Sequence, residues 1–433
     1  MKSDPSPAKR HISEVDEAED EKDSELHKRR KEDGPHVHSK GLNSCLELEF
    51  PPTSLGGSSP SPPPFQYPFQ LISFSYTPTR ELEFTDSALR YYAIPPHGAD
   101  LSFRYDSWIK RPEERGRLDG LLEACLHERV FPETRRANVI SWRGVMTKIL
   151  TAPYEDRDGW ELNVMNVADA LYFEEHTTEG KLKEKESMTP RNRLQTYYGY
   201  AFESFATSAT PSTSDDTSRL PNGWSGDVNT NVQWCSVVKT KLGKMRLLVG
   251  GEVDCVKGMS CNKKYTGQPN TFVELKTSMT IRGQTDEARF EKKLLKFYFQ
   301  SFLLGVPEIV VGFRTPSGRI ADLQTFKTIE LPRLVRGKKD AWDPNICLSW
   351  GDRFLTFLKT SIDELRDQEP NETPIQEGIS DAGAHVWRVS FKPGKGVDVR
   401  LLDDAGVQEV QNGEDRVGFL PTSYFRKVSK STK

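Results

Sequence analysis

Two short charged triplets, set inside apolar strand-like runs, constrain this chain more than any other feature. Gly251-Glu252-Val253-Asp254 is followed, after nineteen residues, by Glu274-Leu275-Lys276. Val249, Val253, Val256, Phe272, Val273 and Leu275 surround the charges with residues that belong in a core. Side chains two apart on a strand point to the same face, so Glu252 and Asp254 share one face of their strand, and Glu274 and Lys276 share one face of theirs. The link from Lys257 to Pro269 is rich in Gly, Asn and Lys, as expected of an extended hairpin connection, and lets the two strands lie side by side. Four ionisable groups then converge on one patch. Either triplet alone reads as a solvated face of alternating charge. Together they read as a site, because burying unpaired carboxylates is costly unless a metal or a lysine compensates.

Three carboxylates and one lysine on a sheet surface match the needs of divalent-metal phosphotransfer chemistry. Hard oxygens ligate Mg²⁺ or Mn²⁺, and an ammonium holds the attacking water or the charge developing on phosphorus. The carbonyl of Leu275, between two inward-pointing residues, is a further candidate ligand. Glu203 ends a helical run containing Leu194, Tyr197 and Tyr198; alone it is an ordinary terminal glutamate, and beside an acidic patch it becomes a candidate ligand. The helix Glu291–Leu304, with Phe290 before it, is apolar around most of its circumference and leaves Lys293, Lys296 and Gln300 on one narrow stripe. That stripe faces either a cavity beside the metals or solvent. Ser141-Trp142-Arg143-Gly144 opens another helical run, where a guanidinium serves either as a phosphate clamp or as half of an ion pair.

Other chemistries find little support. There is no GxxxxGK[ST] loop, and Gly250-Gly251 is too short to cradle phosphates, which argues against an ATPase or kinase. The six cysteines lack paired zinc spacings and no HExxH pair exists, so a zinc hydrolase is not supported. A net charge of −3 excludes a bulk polycation, so any nucleic acid must be gripped by a local basic surface. No apolar run approaches membrane-spanning length and no signal core opens the chain; a reducing, intracellular setting and no membrane partner are expected.

Along the chain, residues 1–40 carry twenty charged side chains and read as a disordered tail, with Lys28-Arg29-Arg30-Lys31 as a candidate nuclear import signal. Residues 41–68 read as a proline-rich linker, 69–428 as one large domain and 429–433 as a basic tail. Apolar spacing predicts helices near 116–128, 143–151, 191–204, 286–304 and 351–366. β-Branched and aromatic runs predict strands near 232–240, 245–256, 270–278, 308–314, 385–392 and 396–402. The segments 176–190 and 205–230 read as surface loops.

Trp142-Arg143-Gly144, Gly199-Tyr200-Ala201-Phe202-Glu203, Glu252-Val253-Asp254, Glu274-Leu275-Lys276 and the helix from Lys293 to Gln300 resemble, in order and residue type, the successive signature motifs of the decapping and exoribonuclease (DXO) family. The resemblance implies an α/β fold whose mixed β-sheet core resembles PD-(D/E)XK nucleases, flanked by helices and a second smaller sheet. It implies a metal-dependent hydrolase of RNA 5′ ends that removes pyrophosphate from 5′-triphosphate RNA, unmethylated or incomplete caps and NAD caps. Glu203, Asp254, Glu274 and the Leu275 carbonyl would bind metal, two Mg²⁺ or Mn²⁺ ions. Glu252, Lys276 and Gln300 would contact substrate or attacking water, with Glu252, Asp254, Glu274 and Lys276 the catalytic set. Trp142, Arg143 and Gly144 would hold phosphates, and Cys235 would line the pocket. A fungal-type member would be nuclear and would partner the nuclear 5′→3′ exoribonuclease. A mainly non-catalytic partner of that exoribonuclease is the alternative from another class.

Overall fold

The computed structural model describes residues 46–49, 61–211, 221, 223–258, 267, 269–368 and 385–430. Two mixed sheets dominate it. The larger has ten strands, in the order β1 (Leu46–Glu49), β16 (Gly396–Leu401), β15 (Trp387–Lys392), β6 (Trp160–Val167), β7 (Ala170–Glu175), β5 (Val139–Trp142), β10 (Met245–Glu252), β9 (Gln233–Leu242), β2 (Phe65–Tyr76) and β3 (Leu82–Glu83). The smaller has six, in the order β14 (Ile320–Lys327), β13 (Glu308–Arg314), β12 (Phe272–Met279), β11 (Cys255–Val256), β4 (Tyr91–Tyr92) and β8 (Thr207–Ser208). At the centre of the large sheet β7, β5 and β10 run parallel, whereas β9 returns antiparallel beside β10.

Apolar residues cover both faces of the large sheet. One face packs against the helices Arg143–Thr151, Gln284–Leu304 and Pro344–Gln368 through Ile149, Leu294, Phe299 and Phe354. The other packs against Asp119–Leu126 and Thr422–Ser429 through Leu121, Leu122 and Tyr424. A third cluster seats the helix Pro190–Ala206 on the small sheet through Tyr197, Phe202 and Val310. That helix starts on a local signal: the Thr189 hydroxyl accepts from Asn192 N and Pro190 occupies the first turn. The helix Gln284–Leu304 stops at Gly305, which takes the left-handed conformation at φ 74°.

Several expectations change. Residues 245–256 form two strands rather than one: β10 ends at Glu252 in the large sheet, and after Val253-Asp254 the chain re-enters as β11 in the small sheet. The two expected partners still meet, since Cys255 pairs with Val273 and Val256 with Phe272. The expected linker 41–68 contains β1, paired with β16, and the first residues of β2, so ordered chain starts before Phe69. β1 reads Leu-Glu-Leu-Glu, an alternation too short to stand out beside so many prolines. Residues 179–186 form a helix capped by Thr178 instead of a loop. Within 205–230, Trp224 and Val228 are buried against the third cluster. The tail 1–40, including Lys28–Lys31, lies outside the described residues. Among the described residues no helix is long and apolar enough to cross a membrane, and Cys125, Cys235, Cys255 and Cys347 are free thiols.

Gly312 on β13 lets the Phe202 ring lie directly on the small sheet, because a Cβ there would come 2.5–2.9 Å from three ring atoms. Overpacking of this kind costs about 1–3 kcal/mol. Gly312→Val should lower the urea midpoint accordingly; an unchanged midpoint would mean that the helix carrying Glu203 is not seated where the contact places it.

Candidate active site

Parallel strands β5 and β10 end side by side, with Gly250 in register with Trp142. The two glycines of β10 make this possible. A Cβ on Gly250 would come 2.8 Å from the Trp142 ring, and one on Gly251 would come 2.9 Å from Arg143 Cβ and from Leu304 Cδ1. The pair that is too short to cradle a phosphate is thus used for close packing, and it brings Arg143 over the strand end that carries Glu252.

Glu274 is the most buried carboxylate of the site, with no exposed surface. Arg143 Nη1 donates to its Oε2 at 2.8 Å and Lys276 Nζ to its Oε1 at 2.6 Å. Burial would raise its pKa, but Arg143 and Lys276 outweigh it and hold the carboxyl down at about 2. Burial likewise works against the charges on Arg143 and Lys276, and the facing carboxylates Glu274 and Asp254 outweigh it, so both cations are strengthened.

The other three carboxylates lack such relief. Asp254 sits in the crossing between the sheets, where its Oδ2 accepts from Leu275 N at 2.6 Å. Burial, then Glu274, push its pKa up to about 7 against the pull of Lys276. Burial, Asp254 and Glu252 push Glu203 well above the usual carboxylate range. Burial also raises Glu252, with Arg143 and a hydrogen bond from Gln233 opposing it. Three hard-oxygen donors held together at a shortage of positive charge suit a divalent cation. As placed, no group of three or more His, Cys, Asp or Glu side chains among the described residues is arranged to hold a metal ion, so binding one requires these carboxylates to shift. Both oxygens of Glu274 face protein cations, so ligation by Glu274 requires one of them to turn away.

Glu203, Glu252 and Asp254 line a cleft of ≈ 620 Å³, and Glu252 also lines an adjoining lobe of ≈ 390 Å³ with Trp142 and Cys235. Glu274, Lys276 and Arg143 stand behind this surface and do not line either lobe. Trp142 donates from Nε1 to the Arg117 carbonyl, and Gly144 lies in open space one residue into its helix. Cys235 is opposite Glu252 in the β9–β10 ladder; burial and Glu252 push its thiol up, so it stays protonated. Gln300 reaches the site through its carbonyl, 3.5 Å from Arg143 Nη1. Lys296 does not join it. Its ammonium is exposed and pairs with Glu155 at 3.2 Å, so the polar stripe of that helix divides between solvent and site.

Two parts of the cleft were not legible as site residues. Gln233 donates from Nε2 to Glu252 Oε2 at 2.7 Å. The strap Lys110–Arg117 borders both lobes, with Arg111, Glu114, Arg115 and Gly116 common to the two. It is held from a distance: Glu186 Oε1 accepts from Glu113 N at 2.9 Å, Arg115 Nη1 donates to the Glu409 carbonyl at 2.8 Å, and Arg117 pairs with Glu174 and Glu414. Its charges, dense between Pro112 and Gly116, carry no local pattern that marks a site.

Comparison with known proteins identifies the family. The family model described as RAI1 like PD-(D/E)XK nuclease matches residues 66–425. The decapping nuclease RAI1 of Mycosarcoma maydis is 36% identical over 89% of this chain and 91% of its own. The decapping and exoribonuclease protein of Mus musculus is 36% identical over 85% of this chain and 87% of its own. The crystal structure of Scheffersomyces stipitis Rai1 in complex with (3′-NADP)⁺ and calcium ion superimposes with a TM-score of 0.67 at 26% identity, covering 91% of this chain and all of that one. A D…E-x-K constellation at the seam of two sheets, in a chain so matched, makes this protein a member of the RAI1-like PD-(D/E)XK nucleases, an RNA-processing hydrolase family.

Proposed function

We propose that this chain is a metal-dependent hydrolase of RNA 5′ ends that removes pyrophosphate from 5′-triphosphate RNA, unmethylated or incomplete caps, and NAD caps. The observation that carries the reading is the set Glu203, Glu252 and Asp254 on the wall of one cleft, backed by the Glu274–Lys276 pair. A scaffold without activity would have no reason to keep three carboxylates together in a half-buried, charge-frustrated arrangement. The nucleotide and calcium bound by the Scheffersomyces stipitis relative, and the decapping activity named for the others, support the same reading. A nuclear location and association with a nuclear 5′→3′ exoribonuclease complete the proposal on the family resemblance, with the Lys28–Lys31 cluster as the import signal.

The residues divide the work. Glu203, Asp254, Glu274 and the Leu275 carbonyl would hold divalent cations, two by the resemblance, which supply Lewis-acid stabilisation of charge on the attacked phosphate. Asp254 is kept in place by Leu275 N, and Glu274 by the charges of Arg143 and Lys276. Lys276, once released from Glu274, can turn its ammonium to the non-bridging phosphate oxygens. Glu252, which lines both lobes of the cleft, would orient the attacking water between them. The trapped indole of Trp142 and the strap give the cleft fixed walls.

Two predictions test the site. Wild type, incubated with RNAs bearing 5′ triphosphate, NAD, unmethylated cap or monophosphate in Mg²⁺ or Mn²⁺, should release pyrophosphate, NAD or cap dinucleotide. Asp254→Ala should release less than about one-hundredth as much while remaining folded. Near-normal turnover by the folded variant, or no release by wild type from any RNA, would overturn the assignment.

The second uses stability in chelator. A carboxylate raised from 3.8 to about 7 on folding binds its proton more tightly in the folded state, so its contribution worsens as pH rises through that window and is most unfavourable above it. Asp254→Asn keeps an acceptor for Leu275 N and removes the charge. In EDTA it should melt about 2–4 °C above wild type at pH 8, with the gap closing toward pH 4. Mn²⁺ should raise wild type and not the variant. A variant less stable than wild type at pH 8 would show that Asp254 is not frustrated in the metal-free protein.

A further inference from the structure

The smaller lobe holds four arginines, yet their guanidinium groups already have protein partners. Arg115 and Arg117 are held by Glu409 and Glu174, Arg111 pairs with Glu114, and Arg80 donates inward. Arg80 is the informative one. It follows β2 through a turn in which Thr77 N donates to the Glu81 carbonyl and Arg80 N to the Thr77 carbonyl. Its φ of 69° is left-handed, a conformation that a residue with a Cβ rarely keeps unless its side chain is fixed by its surroundings.

That side chain is fixed on three sides. The guanidinium lies 3.6 Å from the centroid of the Tyr76 ring, and Nη1 donates to Asn231 O at 3.0 Å and to Gln233 Oε1 at 2.6 Å. The Tyr76 ring is itself seated by the absence of a side chain at Gly120, where a Cβ would collide with the tyrosine hydroxyl. A guanidinium only donates and an ionised carboxylate only accepts. Gln233, standing between Arg80 and Glu252, therefore has one workable orientation: carbonyl oxygen toward Arg80, amide nitrogen toward Glu252 Oε2 at 2.7 Å. The flipped amide would set donor against donor and acceptor against acceptor. Sheet register supplies the reach, since Glu252 is opposite Cys235 and Gln233 is two residues along on the same face.

We propose that Arg80 and Gln233 are positioning residues acting in series: Arg80 fixes the amide of Gln233, and Gln233 aims the Glu252 carboxylate at the junction of the two lobes. The inference rests on the hydrolase reading for its kinetic consequence and on geometry alone for its structural one. A carboxylate fixed through one oxygen holds its other oxygen in a single direction, and misdirection by an ångström is enough to slow a reaction about 100-fold.

The test uses the full chain and 5′-triphosphate RNA with Mn²⁺. Gln233→Ala should lower kcat about 10- to 100-fold with KM changed by less than about 3-fold. Arg80→Met should lower kcat by a smaller factor in the same way, and Arg80→Lys, which restores a pure donor, should recover part of the loss. Because the two act in series, the double variant Arg80→Met/Gln233→Ala should be no slower than Gln233→Ala alone. Multiplicative losses with a raised KM would mean that Arg80 touches substrate directly, and would overturn the proposal. A crystal structure of metal-free Arg80→Met provides the arm that needs no activity: the Glu252 carboxylate should be rotated or split between two positions. Finding it unmoved would also overturn the proposal. If wild type hydrolyses none of the RNAs, the functional reading falls, while the crystallographic arm still decides whether Arg80 positions Glu252.

Discussion

A glutamate with no exposed surface, held between an arginine at 2.8 Å and a lysine at 2.6 Å, is the constraint around which the rest of this protein is arranged. Taking three charges out of water is costly, and removing one member of such a buried group typically costs about 3–5 kcal/mol. The three come from different places: Arg143 from the first turn of a helix behind the large sheet, Glu274 and Lys276 from a strand of the small one. The ion cluster therefore holds two sheets in one relation. By satisfying Glu274, it leaves Asp254, Glu252 and Glu203 with too little positive charge for their number, which is the electrostatic condition that favours a bound cation.

The seam between the sheets gives those carboxylates their geometry. At Glu252 the backbone leaves the large sheet, and three residues later, at Cys255, it is paired in the small one. Between them Val253 N still donates to the Trp234 carbonyl of β9, while the Asp254 carboxylate accepts from Leu275 N of the neighbouring strand. Glu252, at the end of the large sheet, and Asp254, in the crossing between the two sheets, thus line one cleft. Glycines at 250 and 251 complete the arrangement by letting Trp142 and Arg143 press onto the end of β10.

Much of this was legible from the residues. The triplets announced themselves because charges in Val- and Phe-rich runs need compensation, and long periodic elements such as the helix ending at Leu304 followed from apolar spacing alone. What escaped has physical reasons. A strand that changes sheets has the same alternation as one that does not, so 245–256 looked continuous. β5, β6 and β7 are nearly buried on both faces and lack the alternation that marks a half-exposed strand. The stripe on the helix Gln284–Leu304 was visible, but its division between Glu155 and Arg143 depends on neighbours that no local pattern reveals. Gln233 was invisible as a site residue because its meaning comes wholly from Arg80 and Glu252.

The strap that walls the cleft has a consequence for how the protein is made. Arg115 and Arg117 are tied to the backbone carbonyls of Glu409 and Gln411, each 294 residues further along the chain. Every carboxylate of the site is synthesised well before those anchors exist. A nascent chain that has already assembled both strands of the seam must still wait for the segment around Glu409 and Gln411 before the wall of its cleft can be fastened. The order of synthesis thus places the fastening of the cleft wall after all of the site's carboxylates have been made.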